Sequence, residues 1–549
     1  MENGGNMNQH LSFSGNVPIE LDGLGVRPEA VTFDMEEISA RLSDISRPVW
    51  VADGPERVGV AFAEKGSLVS GGSCLTLLAS APALMPESLG EPSFAAHHGV
   101  RYPLYGGAMA NGIASERMVA ALGRAGFLGS FGAAGLSPAR VREAIGEIRH
   151  ELPNGPFAMN LIHSPLDPAL EEAIVRMYLE TGVNCVETAA YMDLTPHIVR
   201  FRANGLRKDG QGRISCENRV IAKVSRRETA AHFLKPAPDR ILEKLAAEGL
   251  ISRDQSEMAR KVPMADDITV EADSGGHTDN RPLVGILPSI MALRDEICAR
   301  YGYERPVRVG AAGGMATPAA VLAAFSMGAA YVVTGSVNQS CIEAGTSLHV
   351  KKLLSEADVA DVAMTPAADM FEMGGKVQVL RRGSLFAQRA AKLYELYNRL
   401  EGIDAIDPAE RKKLETQVFQ KPLEEVWSET RRFFMERDPA ALERAGNNGK
   451  RIMALIFKWY LGQASRWAAA GVKGREMDYQ IWCGPAMGAF NAWAAGTCLA
   501  DFNNRRVADV AMNLLCGAAY LMRLRILSAS RVSLPPALFR WVPRQSNLP

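Results

Sequence analysis

Asp267-Ile-Thr-Val-Glu-Ala-Asp-Ser-Gly-Gly-His277 reads as a short apolar strand that breaks off into a glycine pair and a histidine. Ile268 and Val270 alternate with polar neighbours, as a strand requires. Gly275 and Gly276 allow the backbone to take positive φ or to pass close to a flat ligand, and His277 follows at once. Taken alone, the same residues also fit a tight turn followed by a surface histidine. In a barrel, a loop of this kind at the C-terminal end of a strand is where catalytic groups sit.

Apolar runs recur between amphipathic helical segments from about Tyr102. They are Tyr102 to Gly107, Gly126 to Phe131, Phe157 to Ile162, Cys185 to Ala190, Val220 to Val224, Ile268 to Ala272, Val307 to Ala312 and Ala330 to Gly335. The spacers predict helices over Ser115 to Arg124, Pro138 to His150, Pro168 to Thr181, Thr195 to Ala203, Leu287 to Arg300 and Thr317 to Ser326. Strands alternating with single helices around a closed parallel sheet make an α/β fold, a (β/α)8 TIM barrel over 101–350. A doubly wound sheet is the alternative, since periodicity alone does not separate the two. The spacer from Arg226 to about residue 265 is too long for one helix, which predicts an inserted lid or a helical hairpin.

The flanks differ in pattern. Residues 1–22 are polar, rich in Asn and Gly, and predict a disordered N-terminus. Over 23–100, Pro48-Val-Trp-Val-Ala-Asp-Gly54 and Val58 to Ala63 predict a small β-rich module. From 351 to 549 the alternation stops and helices are predicted over Leu385 to Leu400, Pro408 to Gln417, Leu423 to Glu436, Arg451 to Ala470 and Val507 to Leu527. The last of these is the most apolar, but Asp509, Arg523 and Arg525 interrupt it, which fits a buried helix and not a membrane span. Trp459, Trp467, Trp482 and Trp493 gather here as core, or as a docking face for a partner or a second copy in a homodimer.

Lys+Arg and Asp+Glu are both 61 in 549 residues, so no net field draws nucleic acid or an anionic membrane. Eight cysteines without a CxxC pair suggest neither a metal site nor a disulfide framework. With no signal-peptide pattern at the N-terminus, the expected compartment is the cytoplasm.

Tyr105 to Gly112 surrounds a bare backbone with glycines, Asn160 stands near the end of the third run with His163 close behind, and the fifth run carries Lys223. Polar side chains at the ends of apolar strands are costly unless they meet a ligand or one another. After the seventh and eighth runs, Gly313, Gly314, Gly335 and Ser336 expose backbone N–H groups where barrels bind phosphate. Neither a Gly-x-Gly-x-x-Gly after a strand nor a Walker sequence is present, so the phosphate suits a mononucleotide such as FMN.

Gly106-Gly-Ala-Met-Ala-Asn-Gly112, Phe157-Ala-Met-Asn160, Glu271 to His277, Val309 to Gly314 and Thr334-Gly-Ser-Val-Asn-Gln339 together resemble a known family. It is the FMN-dependent enoyl reductase subunit of bacterial polyunsaturated fatty acid synthases, with the trans-acting enoyl reductases of polyketide synthases, within the nitronate monooxygenase-like barrel superfamily. The resemblance includes the tail motifs Ile456 to Gly462 and Tyr479 to Pro485. It implies an NADPH-consuming flavoenzyme that reduces a trans-2-enoyl thioester on an acyl carrier protein. By position, Gly107, Ala108 and Met109 would face the flavin ring, Asn160 and Lys223 would bond its polar edge or ribityl chain, and Gly275 and Gly276 would lie close by. His277 would donate a proton, polarise the thioester carbonyl or position flavin or substrate. Asp279, Asn280 and Arg281 would help to hold NADPH or the phosphopantetheine arm. The alternatives are a nitronate monooxygenase on the same flavin and a non-catalytic scaffold.

Overall fold

The structure is a computed structural model, and it describes residues 12–13, 24–65, 67–70, 73–164, 168–437 and 439–545. Most of the expected disordered N-terminus, 1–22, lies outside the described residues. Within it, Ser12–Phe13 pairs antiparallel with Val532–Ser533.

The eight apolar runs form eight parallel strands: β1 (Leu104–Gly106), β2 (Leu128–Phe131), β3 (Ala158–Ile162), β4 (Cys185–Ala189), β5 (Arg219–Val224), β6 (Asp267–Glu271), β7 (Arg308–Ala312) and β8 (Val332–Thr334). They close into a barrel in chain order, β8 pairing with β1. The (β/α)8 fold therefore holds, and the doubly wound alternative does not. Because side chains alternate across a strand, every second residue points inward, and these residues stack in layers.

At the floor, Asp267 is fully buried between His98, at 2.7 Å, and Arg308, at 2.6 Å. Burial would raise its carboxyl, but its contacts with His98 and the Arg308 guanidinium hold it well below the usual carboxylate range. Phe94, on the helix Pro92–His98, stacks on Tyr331 and closes this end. Above it, the Thr269 hydroxyl joins Tyr331 at 2.9 Å and Tyr105 at 3.2 Å, so buried hydroxyls satisfy one another. Glu187, Lys223 and Glu271 stand at the upper ends of their strands.

The long spacer after β5 is helical, with helices Arg227–Leu234, Asp239–Ala247 and Arg253–Ala259, but it is not a lid. The first descends the barrel wall and buries Thr229, Ala230, Phe233 and Leu234. The others pack beside helix Pro196–Asn204 and the hairpin of Leu206–Lys208 with Ile214–Cys216. Arg202 fixes this layer, donating to Asp266 at 2.6 Å and to the Pro263 carbonyl at 3.2 Å. Asp266 precedes β6, so the inserted residues lie at the floor. A chain that must reach the start of β6 deposits its surplus there.

At the N-terminal flank, five short antiparallel strands run in the spatial order Val58–Phe62, Val49–Asp53, Leu75–Ala81, Leu24–Val26 and Leu68–Ser70. The C-terminal flank is not wholly helical: β9 (Val362–Pro366) and β10 (Lys376–Leu380) form a sheet whose third strand is Gly276–His277. Helices Phe386–Arg399 and Gly449–Ala470 build a second core there, in which Trp459 is buried and Trp467 and Trp482 are partly so. Helix Val507–Ala529 is long and apolar enough to cross a membrane, yet 72% of its apolar window is buried within the fold. Its Arg523 is fully buried and donates to the carbonyls of Leu42, Asp44, Ile45, Arg47 and Pro82, which joins the two flanks.

Candidate active site

The loop after β6 is held from above by β10. Gly276 pairs with Gln378 and His277 with Val377 in antiparallel register. The Gln378 amide donates to Asp273 Oδ1 and to the Ser274 carbonyl, both at 2.8 Å. Gly276 takes φ of 80°, and a Cβ at Gly275 would lie 2.8 Å from the Cys483 amide nitrogen. The glycine pair thus admits a neighbouring backbone, and in this structure that backbone is the Trp482–Gly484 segment. His277 is about two-fifths exposed, and its Nε2 lies 3.0 Å from Asp369 Oδ1. Burial opposes a charge on the ring, but the hydrogen bond and charge of Asp369 outweigh it and raise the imidazole above its usual value.

Since β7 and β8 pair at Ala312 and Val333, the loops that follow them lie side by side. Gly313 and Gly314 both have positive φ, 84° and 77°. A Cβ at Gly313 would strike the backbone of Ala272 and Asp273, whereas one at Gly314 or Gly335 would meet nothing within 4 Å. Two of the four predicted anion-binding positions therefore border open space. Gly335 leads into the one-turn helix Ser336–Gln339, and the Ser336 hydroxyl accepts from the Gly484 amide at 3.1 Å. Cys483 and Gly484 consequently touch both the β6 and the β8 loops.

Gly107 donates to the Thr334 carbonyl at 3.0 Å, and a Cβ on it would come within 2.9 Å of Val333. The Ala108 amide donates to Glu187 Oε2 at 2.9 Å, and Met109 packs on the main core. Farther along the loop, Asn111 takes φ of 59° and donates to Ser465 Oγ of helix Gly449–Ala470 at 3.1 Å. On β2, Ser130 follows the alternation of inward-facing Leu128, and its hydroxyl is buried without a hydrogen-bond partner. Such an orphan is expected where a bound group completes the hydrogen bonding. These residues fit a planar group with an anionic tail.

Lys223 Nζ lies 3.0 Å from Glu271 Oε1, to which the Ser274 hydroxyl also donates. Burial disfavours the ammonium, yet Glu271 and Glu187 outweigh it and hold its pKa above the usual value, so the site keeps a fixed cation. Asn160 is buried beside β4, its amide donating to the Glu187 carbonyl at 3.2 Å. His163 turns away to Glu171, at 3.1 Å, and stacks on Tyr191, so it belongs to the barrel wall. Arg226 and Ser225 bind Asp279, the guanidinium foremost, and bring its carboxyl down to about 2.

Three contributors escaped the sequence reading. Glu187 left one visible trace, a carboxylate inside the apolar run Cys185-Val-Glu-Thr-Ala189. Asp369 and Gln378 left none, since they reach the loop from far along the chain. No group of three or more potential metal-ligating side chains occurs among the described residues.

The nitronate monooxygenase family model matches residues 92–412, more than half of the chain. Residues 400–479 match the inserted helical domain of acyl-carrier-protein S-malonyltransferase. One polyunsaturated fatty acid synthase subunit of Thraustochytrium sp. is 47% identical over 505 residues, 91% of this chain but 33% of that protein. The polyketide biosynthesis protein PksE of Bacillus subtilis is 43% identical over 443 residues, 80% of this chain and 57% of PksE. The chain thus spans about a third of the Thraustochytrium synthase protein. Among solved structures, the enoyl reductase domain of MlnA, from the macrolactin biosynthesis cluster of Bacillus amyloliquefaciens, matches with TM-score 0.77 at 37% identity. That match covers 81% of this chain and 99% of the domain. Barrel, glycine loops and family match agree: the chain belongs to the nitronate monooxygenase family of flavin-dependent oxidoreductases.

Proposed function

We propose that this protein is an FMN- and NADPH-dependent enoyl reductase, acting in trans on an enoyl thioester carried by the acyl carrier protein of a polyunsaturated fatty acid or polyketide synthase. The observation that carries the reading is the match, at 37% identity, to an enoyl reductase domain over 99% of that domain's length. The acyl carrier protein as partner is supported by the synthase relatives and by the helical segment at 400–479. Eight free cysteines suit a reducing compartment such as the cytoplasm.

In this reading Gly107, Ala108 and Met109 border the flavin ring, Asn160 and Lys223 meet its polar edge, and Gly275 and Gly276 shape the loop beside it. Gly313, Gly314, Gly335 and Ser336 offer backbone N–H groups to the phosphate. When bound, the flavin supplies the hydride, drawn from NADPH, that reaches the β-carbon of the enoyl thioester. His277 delivers the proton that balances it at the α-carbon, or holds the thioester carbonyl by a hydrogen bond as charge gathers there. Lys223 fixes positive charge at the barrel mouth, and the protein's further work is alignment of the two reactants.

The family description favours one second reading, oxidation of a nitronate by the same flavin. Anaerobic absorbance spectroscopy separates the two. A flavin band that bleaches with NADPH and returns with a crotonyl thioester supports the enoyl reductase. A flavin that ignores the thioester and is reduced by an alkyl nitronate replaces it, and a colourless protein overturns both.

A further inference from the structure

We infer that Asp369, supplied by the C-terminal flank, is the positioning residue that orients His277 and keeps it able to donate a proton. The reaction so served is the enoyl reduction proposed above. Besides the Trp482–Gly484 segment against Gly275, two contacts join this flank to the β6 loop at His277 and its neighbour. One is the 3.0 Å contact of Asp369 Oδ1 with His277 Nε2. The other is the backbone pairing of His277 with Val377 and Gly276 with Gln378, reinforced by the two bonds from the Gln378 amide. The barrel therefore presents His277, but the orientation of the ring comes from outside the barrel.

A ring whose Nε2 donates to a carboxylate has a fixed tautomer when neutral and a stabilised imidazolium when charged. The other charged groups acting on His277 are Lys223 on β5 and Glu271 on β6, which oppose one another and pair together at 3.0 Å. Asp369 is the one whose charge is not already matched within the barrel. Removing it should leave the ring free to turn and easier to deprotonate.

The test follows the His277 ring resonance by NMR in protein carrying 13Cε1-labelled histidine, assigned with His277→Asn among nine histidines. The pH dependence of kcat for crotonyl thioester reduction is measured alongside. In Asp369→Asn the His277 resonance should titrate at lower pH, and the alkaline limb of kcat should move with it. Each unit of that movement costs about tenfold in kcat on the alkaline side. Flavin content should stay at the wild-type level, and Asp369→Glu should restore both readouts. Asp369→Ser serves as a second variant should the Asn variant fail to fold. An unmoved resonance or an unmoved limb overturns the inference. If the resonance moves but wild-type protein reduces no enoyl thioester, the pairing stands and the enoyl reductase reading falls. If wild-type protein turns over while Asp369→Asn leaves resonance and limb in place, the reading stands and the pairing falls.

Discussion

The Glu187 carboxylate on β4 accepts the Ala108 amide of the β1 loop at 2.9 Å, across the top of the barrel. Glu187 is 1% exposed, so this contact was formed at the cost of taking a carboxylate out of water. A loop that only turned the chain would not require it. Its position under Gly107 and Ala108 lets it shape the backbone that is proposed to lie against the flavin.

Glu187→Ala should therefore loosen the loop and lower flavin content in purified protein, with a stability loss of about 1.5–3 kcal/mol, the usual range for a hydrogen bond to a charged group. Absorbance near the flavin band and a urea melt measure the two effects. Glu187→Gln can still accept the Ala108 amide through its side-chain oxygen and should fall between wild type and Ala. Full flavin content in Glu187→Ala would separate Glu187 from cofactor binding.

Arg523 should be the largest single contributor to holding the flanks together. Its guanidinium is 0% exposed and donates to five carbonyls of the N-terminal flank and its linker. Burial makes the charge easier to lose, so its pKa is lowered, but the ring of carbonyls keeps it bound. Arg523→Met fills similar volume yet strips five acceptors of their donor, and should cost about 3 kcal/mol or more. Thermal unfolding would show this as a lower Tm or as early melting of residues 24–81. An unchanged Tm would mean that water replaces the guanidinium.

Much of this architecture was legible because barrel strands are buried on both faces and so stand out as apolar runs. The C-terminal sheet was hidden because its pairing is long-range and not because its strands are exposed. β10, Lys376-Val-Gln-Val-Leu380, has only five residues, and one of its partners is a two-residue strand far earlier in the chain. Helix lengths were readable, but the side of the barrel on which residues 235–265 settle was not, since packing against Arg202 and Asp266 fixes it. In the site, His277 and the glycines stood out by residue type at the ends of apolar runs, and Gly276, Gly313 and Gly314 do take positive φ. Glu187, Asp369 and Gln378 required the topology.

The pair His277 and Asp369 gives the β6 loop a pH window. His277 is raised from 6.5, so its contribution is complete below 6.5 and is lost as pH rises through its folded-state value. Asp369 is lowered from 3.8, so its contribution is complete above 3.8 and is lost as pH falls through its folded-state value. Hydrogen-exchange protection of residues 274–280 should therefore be greatest between about pH 4 and 6.5 and should decline on the alkaline side. Both side chains are more than a third exposed, so added salt should flatten the profile. Protection that rises steadily with pH would contradict the assignment.

Gly275 and Gly314 should respond differently to the same added methyl. At Gly275 a Cβ would sit 2.8 Å from the Cys483 amide nitrogen and 2.9 Å from its Cα and carbonyl carbon, all backbone atoms with little room to move. Gly275→Ala should push the Trp482–Gly484 segment off the β6 loop and, through Gly484, disturb Ser336. Both the Tm and the flavin content should fall. At Gly314 the space is open, so Gly314→Ala incurs only the strain of its φ of 77°, about 1 kcal/mol. Gly314→Asp adds the same strain and also a negative charge where the phosphate is proposed to sit. It should match Gly314→Ala in Tm but purify without flavin. Equal flavin content in the Ala and Asp variants would move the phosphate away from the β7 loop, while a Tm loss at Gly275 without flavin loss would confine that glycine to packing.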